Sequence, residues 1–452
     1  MSSFTPGPSY GEMLQPSRLP AAVRRQALDA RGRDELDPIN LHNITWRDAR
    51  DRVRHVVLPR ALTGIEANII VLLGCDFPSG SHKVGPAYVT LMEGELSGEI
   101  DPAHSRIIGP STGNFGIGVA YIARLMGYPA VVVMPEGMSA ERYQRVRQYG
   151  GELDLTPGSE SDVILVLERT RHYRKDPRNK ILAQFELLPN YRFHRYVTGG
   201  SALEVASEYG NGRIAAFVAA PGSAGTLAAG DEIKARFPDA VVCALEPREC
   251  ATLYCGGRGT HRIEGIGDKM VTLIHNVLTT DYVALIHDED CLRGLRLLQE
   301  SSRLLKTPIL PSAGTIDTLQ GQFGISSICN IIGSIKMARL LGLGDGDNVV
   351  SIATDGFDRY PSVMADLERR EGPVSDRLLL DWYERIFAGA DTREILDVRP
   401  KTEKGRLFRQ KEKIWVEFDY SVDYLERMES QSFWDAEYAR IPGIDEACRR
   451  RR

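Results

Sequence analysis

The chain has 452 residues, of which 42% are hydrophobic and 26% are charged, and its formal net charge at pH 7 is -5. This composition is typical of a globular protein long enough for more than one domain, and the small negative charge gives no electrostatic reason to expect nucleic acid or an anionic membrane as a partner. The longest apolar runs, such as residues 69–73 and 130–134, are far too short to span a bilayer.

Residues 1–58 are rich in Pro, Arg and Asp and show weak periodicity, so we interpret them as a partly ordered N-terminal extension. From about residue 66 short apolar runs alternate with amphipathic stretches, which predicts strand-helix-strand units and parallel sheets, more than one in number. The predicted strands are 67–73, 106–108, 130–134, 181–185, 215–219, 241–245 and 349–352. The predicted helices are 116–126, 140–149, 227–237 and 326–341.

The sequence changes character at about residue 373. Segment 373–452 is highly charged and carries many spaced aromatic residues, which are typical of packing anchors. We predict a C-terminal helical extension that docks on the core or on a neighbouring subunit, and that ends in a solvated arginine tail.

The first candidate functional residue is Lys83, which follows an apolar strand and a Pro-Ser-Gly turn. Most lysines are surface charges, but this one lies at the start of a predicted helix, where its charge does not complement the helix dipole. A desolvated site that lowers its pKa would make Lys83 a nucleophile for an aldehyde.

Two loops of small residues follow Lys83, each between a predicted strand and a predicted helix. In the loop 110–116, Gly113 allows close approach of a ligand, Asn114 offers a donor and an acceptor, and Thr112 with backbone amides can hold a carboxylate. In the loop 221–226, successive N–H groups at a helix N-terminus favour an anion, and Ser223 and Thr226 add hydroxyl donors. Each loop alone is also explained by a tight strand-helix turn.

The second loop lacks the nucleoside triphosphate and dinucleotide patterns. One lysine, one Asn loop and one neutral Gly/Ser/Thr loop are instead the parts that hold a phosphorylated aldehyde as an imine. Further motifs appear in a fixed order along the chain: Met134-Pro135-Glu136-Gly137-Met138-Ser139, Gln184-Phe185, Thr198-Gly199-Gly200, Glu264-Gly265-Ile266-Gly267 and Thr354-Asp355-Gly356.

With these motifs, residues 60–365 resemble the fold type II pyridoxal-phosphate enzymes, in the cysteine synthase and cystathionine beta-synthase branch. The resemblance implies an α/β fold of two three-layer α/β/α domains with mostly parallel sheets and pyridoxal 5'-phosphate in the cleft between them. It implies a large cofactor-binding domain of residues 59–105 and 200–372, and a small substrate-side domain of residues 106–199. The extensions 1–58 and 373–452 lie outside this common core.

The resemblance also implies residue roles. Lys83 is expected to form the imine and to move the Cα proton, Asn114 to bond the cofactor's 3-hydroxyl, and Thr354 to meet the pyridine nitrogen as a neutral hydroxyl. The expected phosphate-binding residues are Gly222, Ser223, Ala224, Gly225 and Thr226. The expected substrate-binding residues are Ser111, Thr112, Gly113, Phe115, Gln184 and Gly265.

The chain departs from its relatives at Phe115, where many of them carry Thr in the Asn loop. This change removes a hydroxyl near the carboxylate site and adds apolar bulk, so the substrate is left open. Residues 1–58 offer no Cys-His pair, so the haem of some cystathionine synthases is unsupported, and we expect no metal.

The function predicted from the resemblance is β-replacement on a small-molecule amino acid, through an aminoacrylate that a thiol or another nucleophile captures. The first alternative is β-elimination alone, as in a dehydratase or desulfhydrase, which Phe115 and the long tail favour. The second is a non-catalytic regulatory or scaffold protein that binds pyridoxal phosphate, against which the retained Lys83, Asn114 and phosphate loop argue.

Location and assembly are further expectations. The seven cysteines are scattered without a Cys-x-x-Cys pair, which is typical of reduced thiols. No basic region followed by an apolar core opens the chain, so no signal peptide is predicted. We expect a cytoplasmic homodimer.

Overall fold

The computed structural model describes residues 6–306, 316 and 318–451. Its strands are short and belong to two sheets. Their bounds are β1 (His55–Val57), β2 (Asn68–Leu73), β3 (Arg106–Pro110), β4 (Ala130–Pro135), β5 (Glu152–Thr156), β6 (Asn179–Ile181), β7 (Ile214–Ala219), β8 (Val241–Pro247), β9 (Tyr282–Ile286), β10 (Asn348–Ala353) and β11 (Ile395–Asp397).

The larger sheet has seven strands in the order β1-β2-β10-β7-β8-β9-β11, and the smaller has four in the order β5-β4-β3-β6. The two edge strands of the larger sheet, β1 and β11, are antiparallel to their neighbours. The other pairs between described strands are parallel. The predicted α/β class with two mostly parallel sheets is therefore confirmed.

Helices connect these strands and extend beyond them at both ends of the chain. Those before residue 300 are α1 (Tyr10–Leu14), α2 (Ala21–Ala30), α3 (Arg60–Thr63), α4 (Val84–Ser97), α5 (Asn114–Met126), α6 (Ala140–Gln148), α7 (Val163–Tyr173), α8 (Leu188–Phe193), α9 (Gly199–Ala206), α10 (Ala228–Arg236), α11 (Thr252–Cys255) and α12 (Asp288–Gln299). Those after it are α13 (Ile325–Leu340), α14 (Pro361–Glu371), α15 (Asp376–Trp382), α16 (Lys401–Glu417), α17 (Val422–Arg427), α18 (Gln431–Ala439) and α19 (Ile441–Arg450). No described helix is both long and apolar enough to cross a membrane.

One predicted strand, 181–185, is wrong. Strand β6 ends at Ile181, and the chain then turns toward α8, with one last ladder bond from the Leu182 N–H to the Ile108 carbonyl at 2.9 Å. The apolar side chains that suggested a strand are buried by packing instead of by pairing. A short buried run alone does not distinguish these two cases.

The order of the strands places the candidate residues side by side. Strand β10 lies between β2 and β7, so the loops that follow these three strands meet at one edge of the larger sheet. Those loops lead to Lys83, Thr354 and residues 221–226, while β3 of the smaller sheet leads to Asn114. The carboxyl ends of parallel strands are the usual place for a ligand crevice.

The two chain ends meet against the helix that follows Lys83. The N–H groups of Tyr10 and Gly11 donate to the Asp445 carboxylate of α19 at 2.8 and 2.9 Å. The Tyr10 hydroxyl donates to Glu93 of α4 at 2.6 Å, and the Arg451 guanidinium of the other extension donates to the Glu95 carbonyl of α4 at 2.6 Å. Both extensions therefore pack directly on α4.

Helix α16 forms hydrogen bonds with an irregular segment, residues 256–281, that has neither helix nor strand. The Trp415 indole N–H donates to the Val271 carbonyl at 2.9 Å. The buried Lys411 ammonium donates to the carbonyls of Leu273 and His275 at 3.0 and 2.6 Å. The C-terminal extension thus holds a stretch of backbone that comes directly after Gly265.

We expect Trp415→Phe to lower the free energy of unfolding by about 1–3 kcal/mol beyond its packing cost, because the buried Val271 carbonyl loses the hydrogen bond from the indole N–H. Denaturant unfolding measures the change. Trp382→Phe is the matched control, since Trp382 is also buried and its indole N–H has no acceptor among the described residues. Equal losses in both variants would show that the bond contributes nothing.

Candidate active site

One cleft gathers most of the candidate residues. It contains about 330 Å³ of space free of protein atoms, part of it open to solvent. Its walls are formed by Lys83, Ser111, Thr112, Gly113, Asn114, Phe115, Gln184, Phe185, Gly222, Ser223, Gly265, Asp268 and Thr354. Ala224, Gly225 and Thr226 do not line the cleft and instead form the remainder of the loop behind Ser223.

Lys83 immediately precedes α4 and is 8% exposed, with its Nζ 3.4 Å from the Ser223 Oγ. Burial lowers the pKa of this amine to about 8, although the negative charges of Asp268 and Glu160 oppose the change. The amine is therefore more readily neutral, and nucleophilic, than an exposed lysine.

We expect attachment of added pyridoxal phosphate to apo-protein to quicken with rising pH, with a midpoint near pH 8 and a plateau above it. Only the neutral amine attacks an aldehyde, and the lowered pKa moves the neutral form into this range. Stopped-flow absorbance from about pH 6 to about pH 11 measures the midpoint. A midpoint near 10.4, about that of an exposed lysine, would show that burial does not tune Lys83.

The loop 221–226 has a backbone shaped for close approach. Gly222 has a φ of +46°, and Ala224 has a φ of +65°. A Cβ at Gly222 would lie 2.7 Å from the Gly265 carbonyl oxygen, so only glycine fits there without movement of the backbone. Below the loop, the Asn190 Nδ2 donates to the Ser223 Oγ at 3.0 Å.

This loop is ready to receive an anion. Within the described part of the chain, the N–H groups of Gly222, Ser223 and Thr226 have no acceptor. They lie just before α10, so the helix N-terminus adds its favourable field. The Thr272 hydroxyl holds the Ser223 carbonyl at 3.0 Å and supports the loop from the irregular segment.

Asn114 opens α5 and bridges the two sheets. Its Nδ2 donates to the Asp355 Oδ2 at 2.6 Å, while its buried Oδ1 has no partner among the described residues. Thr354 lies on the cleft wall, whereas the adjacent Asp355 is fully buried behind Asn114. The residue at the end of β10 that lines the cleft therefore carries a neutral hydroxyl, and the neighbouring carboxylate does not line the cleft.

Arg142 supports the Asn loop from behind. It is fully buried, and its Nη1 donates to the Thr112 carbonyl at 3.3 Å and pairs with Glu264 at 3.0 Å. Its Nη2 donates to the Tyr360 hydroxyl at 3.0 Å. A Cβ at Gly113 would lie 2.4 Å from the same guanidinium, so the loop rests on Arg142.

The remaining candidate residues form the substrate side of the cleft. The Ser111 Oγ accepts from the N–H groups of Gly113 and Gly116 at 3.0 and 2.8 Å, which closes the Asn loop. The buried Gln184 Oε1 has no partner among the described residues, and the Phe115 ring is 1% exposed. The sequence pattern of a strand-helix turn does not predict how these side chains are oriented.

Sequence reasoning missed several residues of this site. They lie far apart in the chain, and several carry ordinary charges that no local motif distinguishes. Those with direct contacts to the cleft or to its two loops are Arg142, Asn190, Asp268, Thr272 and Asp355. Asp355 belongs to the motif Thr354-Asp355-Gly356, although that motif did not indicate a role for its carboxylate.

The residues present fit a phosphorylated pyridine aldehyde. The cleft combines a buried amine with a lowered pKa, three free amide N–H groups for a phosphate, and a neutral hydroxyl for a ring nitrogen. Four buried side-chain atoms around it lack partners within the described residues, as expected where a polar ligand belongs. They are the Asn114 Oδ1, Gln184 Oε1, Asn190 Oδ1 and Asp268 Oδ2 atoms.

Comparisons with known proteins agree with this chemistry. Residues 58–315 match the family model described as pyridoxal-phosphate dependent enzyme. The cysteine synthase of Staphylococcus aureus is 30% identical over 297 residues, which cover 66% of this chain and 88% of that protein. The probable cysteine synthase of Bacillus subtilis is 34% identical over 232 residues, which cover 51% of this chain and 74% of that protein. The crystal structure of a hydrogen sulfide-producing enzyme from Fusobacterium nucleatum aligns with a TM-score of 0.59 at 25% identity, covering 68% of this chain and 95% of that one.

Proposed function

Because the chain belongs to the pyridoxal-phosphate dependent enzymes, we propose that it exchanges a substituent at Cβ of an amino acid for an incoming nucleophile. Pyridoxal phosphate, when bound, supplies an electron sink that stabilises negative charge at Cα. The observation that carries the proposal is that one cleft is lined by Lys83, by the loop 221–226 (the anion loop) and by Thr354 with its neutral hydroxyl. A hydroxyl beside the ring nitrogen leaves a weaker sink than a carboxylate would, which suits chemistry at Cβ.

The roles of the chain's own residues follow from their positions. Lys83 holds the cofactor and, once released, uses its neutral amine to take the Cα proton, for which a pKa of about 8 is well matched. Gly222, Ser223 and Thr226 hold the phosphate through their free N–H groups. Asn114 meets the 3-oxygen of the ring and is oriented by Asp355.

The substrate carboxylate is assigned to the Asn loop. Ser111, Thr112 and Gln184 line the same cleft as the loop 221–226 and offer hydroxyl and amide groups. Arg142 fixes the Thr112 carbonyl, so the loop presents its remaining donors without rearrangement. Lys83 lines the same cleft, so it can take the Cα proton of a substrate bound there.

The relatives named as cysteine synthases support sulfide or a thiol as the nucleophile. The test uses purified holoenzyme with O-acetylserine, serine and cysteine, each with and without sulfide or 2-mercaptoethanol. We expect release of the β-substituent and a new β-substituted amino acid, detected by mass spectrometry. Products altered only at Cα, by racemisation or transamination, would contradict the proposal.

β-Elimination without replacement is the second candidate, and one observation favours it. The Phe115 ring lies on the cleft wall beside Asn114, where it takes space that a second substrate needs. An enzyme of this kind releases a keto acid and ammonia whether or not a nucleophile is present. The same assay distinguishes the two functions by its products.

We expect Phe115→Thr to increase activity with small substrates such as O-acetylserine by about tenfold to a few hundredfold. A pocket difference of this size corresponds to about 1–3 kcal/mol of transition-state binding. The measurement is kcat/KM over a panel of β-substituted amino acids, with cofactor absorbance and thermal unfolding as controls for an intact fold. An unchanged substrate profile would show that Phe115 serves only to pack.

The homodimer and the cytoplasmic location stay predictions. Free thiols at Cys75, Cys243, Cys250, Cys255, Cys291 and Cys329 support a reducing compartment. Light scattering on purified protein tests the dimer.

A further inference from the structure

Asp268 is the carboxylate on the cleft wall, and the roles assigned above do not use it. It lies three residues after Gly265 on the irregular segment, is 7% exposed, and its Oδ2 has no partner within the described residues. The neighbouring Lys269 does not neutralise it, because the Lys269 ammonium pairs with Asp162 at 2.5 Å. A buried carboxylate with an unsatisfied oxygen is costly unless a ligand or a proton meets it.

The ionisable groups around Asp268 leave its charge largely uncompensated. Lys83 is the cation whose charge favours the ionised form of Asp268. Burial raises the pKa of the nearby Glu160 well above its usual value, and the charge of Asp268 raises it further. Burial outweighs Lys83 and raises the pKa of Asp268 to about 7. On its other side Asp268 borders a second small cavity, which is also lined by Glu246 and His275.

Neither Glu246 nor His275 supplies a positive charge that would compensate Asp268 at neutral pH. Burial raises the pKa of Glu246 to about 8, so this side chain is largely neutral there. Burial also lowers the pKa of His275 to about 3, so its imidazole is uncharged. Asp268 thus faces the cleft as a group that can hold or release a proton near neutral pH.

In the proposed replacement, the residues assigned so far provide no acceptor for one of the protons that is released. Lys83 takes the proton from Cα and later returns it. The departing substituent leaves with the electron pair of its bond to Cβ. A neutral nucleophile such as a thiol must lose its own proton as its lone pair forms the new bond to Cβ, and apart from Asp268 and Lys83 the cleft wall offers only hydroxyl, amide, apolar and glycine groups.

We propose that Asp268 is the general base that accepts this proton, and that the natural nucleophile is a neutral thiol or hydroxyl compound and not an anion such as bisulfide. In this step the bond from the nucleophile to Cβ forms, its bond to hydrogen breaks, and the proton passes to a carboxylate oxygen of Asp268. No electrons are gained or lost overall, and the carboxylic acid returns its proton to solvent before the next turnover. The inference rests on the proposed function and adds the class of its second substrate.

The test separates loss of the β-substituent from capture of the nucleophile. Holoenzyme is first mixed with O-acetylserine, and release of acetate is measured; 2-mercaptoethanol or bisulfide is then added, and capture is timed by cofactor absorbance. For Asp268→Asn we expect capture of the neutral thiol, relative to bisulfide, to fall by about 10²–10⁴-fold, the range for loss of a general base. Asp268→Glu should restore part of this ratio, and Asp445→Asn, which alters a comparably buried acid on α19 that does not line the cleft, should leave it unchanged.

Two readouts exclude a merely structural role. In wild type, capture of the thiol should rise with pH through about 7, because only the ionised carboxylate accepts a proton, and this limb should vanish in Asp268→Asn. Thiocyanate binding to the resting holoenzyme, followed by cofactor absorbance without turnover, should tighten about tenfold in the same variant, because a negative charge has been removed.

The outcomes distinguish this inference from the function beneath it. If wild type releases no β-substituent from any substrate of the panel, the proposed function fails. If release occurs but Asp268→Asn keeps the wild-type ratio of thiol to bisulfide capture and the wild-type pH limb, the base is not Asp268. An equal loss of release and capture, with unchanged thiocyanate affinity, would assign Asp268 a structural role and overturn the inference.

Discussion

Lys83→Ala is expected to abolish turnover and to remove the covalent attachment of the cofactor. The buried amine serves as both attachment point and proton carrier, and loss of the proton carrier alone costs about 10²–10⁴-fold in rate. Borohydride reduction followed by peptide mapping should place the cofactor on Lys83 in wild type and on no lysine in the variant. An external primary amine such as methylamine should restore part of the activity, because it supplies the missing base.

The control for this variant is Lys336→Met, which replaces another buried lysine. Lys336 is 6% exposed on α13, pairs with Asp391 at 3.6 Å and does not line the cleft. Its variant should keep the cofactor and the activity. Cofactor label on a lysine other than Lys83 in wild type would refute the assignment, and rescue by the amine excludes simple misfolding of Lys83→Ala.

Gly222→Ala is expected to weaken binding of pyridoxal phosphate by about tenfold to a hundredfold, or ~1.4–2.8 kcal/mol. The left-handed φ of +46° disfavours an added Cβ, and that Cβ would lie 2.7 Å from the Gly265 carbonyl oxygen. Since the close atom belongs to the backbone, the loop must move, and its free N–H groups then lose their alignment. Titration of apo-protein with the cofactor measures the dissociation constant.

Gly127→Ala is the control that separates the strain of a left-handed φ from the close contact between an added Cβ and the backbone. Gly127 has a φ of +80°, and a Cβ added there would meet no atom within 4 Å. This variant should lower stability by about 1 kcal/mol through strain alone and should bind the cofactor with unchanged affinity. Equal affinities for Gly222→Ala and wild type would show that the loop 221–226 does not hold the phosphate.

The sequence by itself determined the fold class and three of the segments from which the cleft is built. Alternation of apolar runs with amphipathic stretches is a local property, and it predicts parallel strands joined by helices wherever it occurs. Small residues after β3 and β7 are also a local requirement, because a chain that turns from a strand into a helix beside a ligand needs them. For this reason Lys83, the Asn loop and the loop 221–226 were recognisable before any contact was known.

The tertiary structure decided which of those segments meet and which other residues join them. The sheet order puts β10 between β2 and β7, and no local pattern encodes that adjacency. Residues such as Asp268 and Arg142 look like ordinary charges in the sequence, since their effect depends on partners more than a hundred residues away or on loss of solvent. The apolar run after β6 became a turn because burial by packing and burial by pairing leave the same hydrophobic signal, and only the contacts distinguish them.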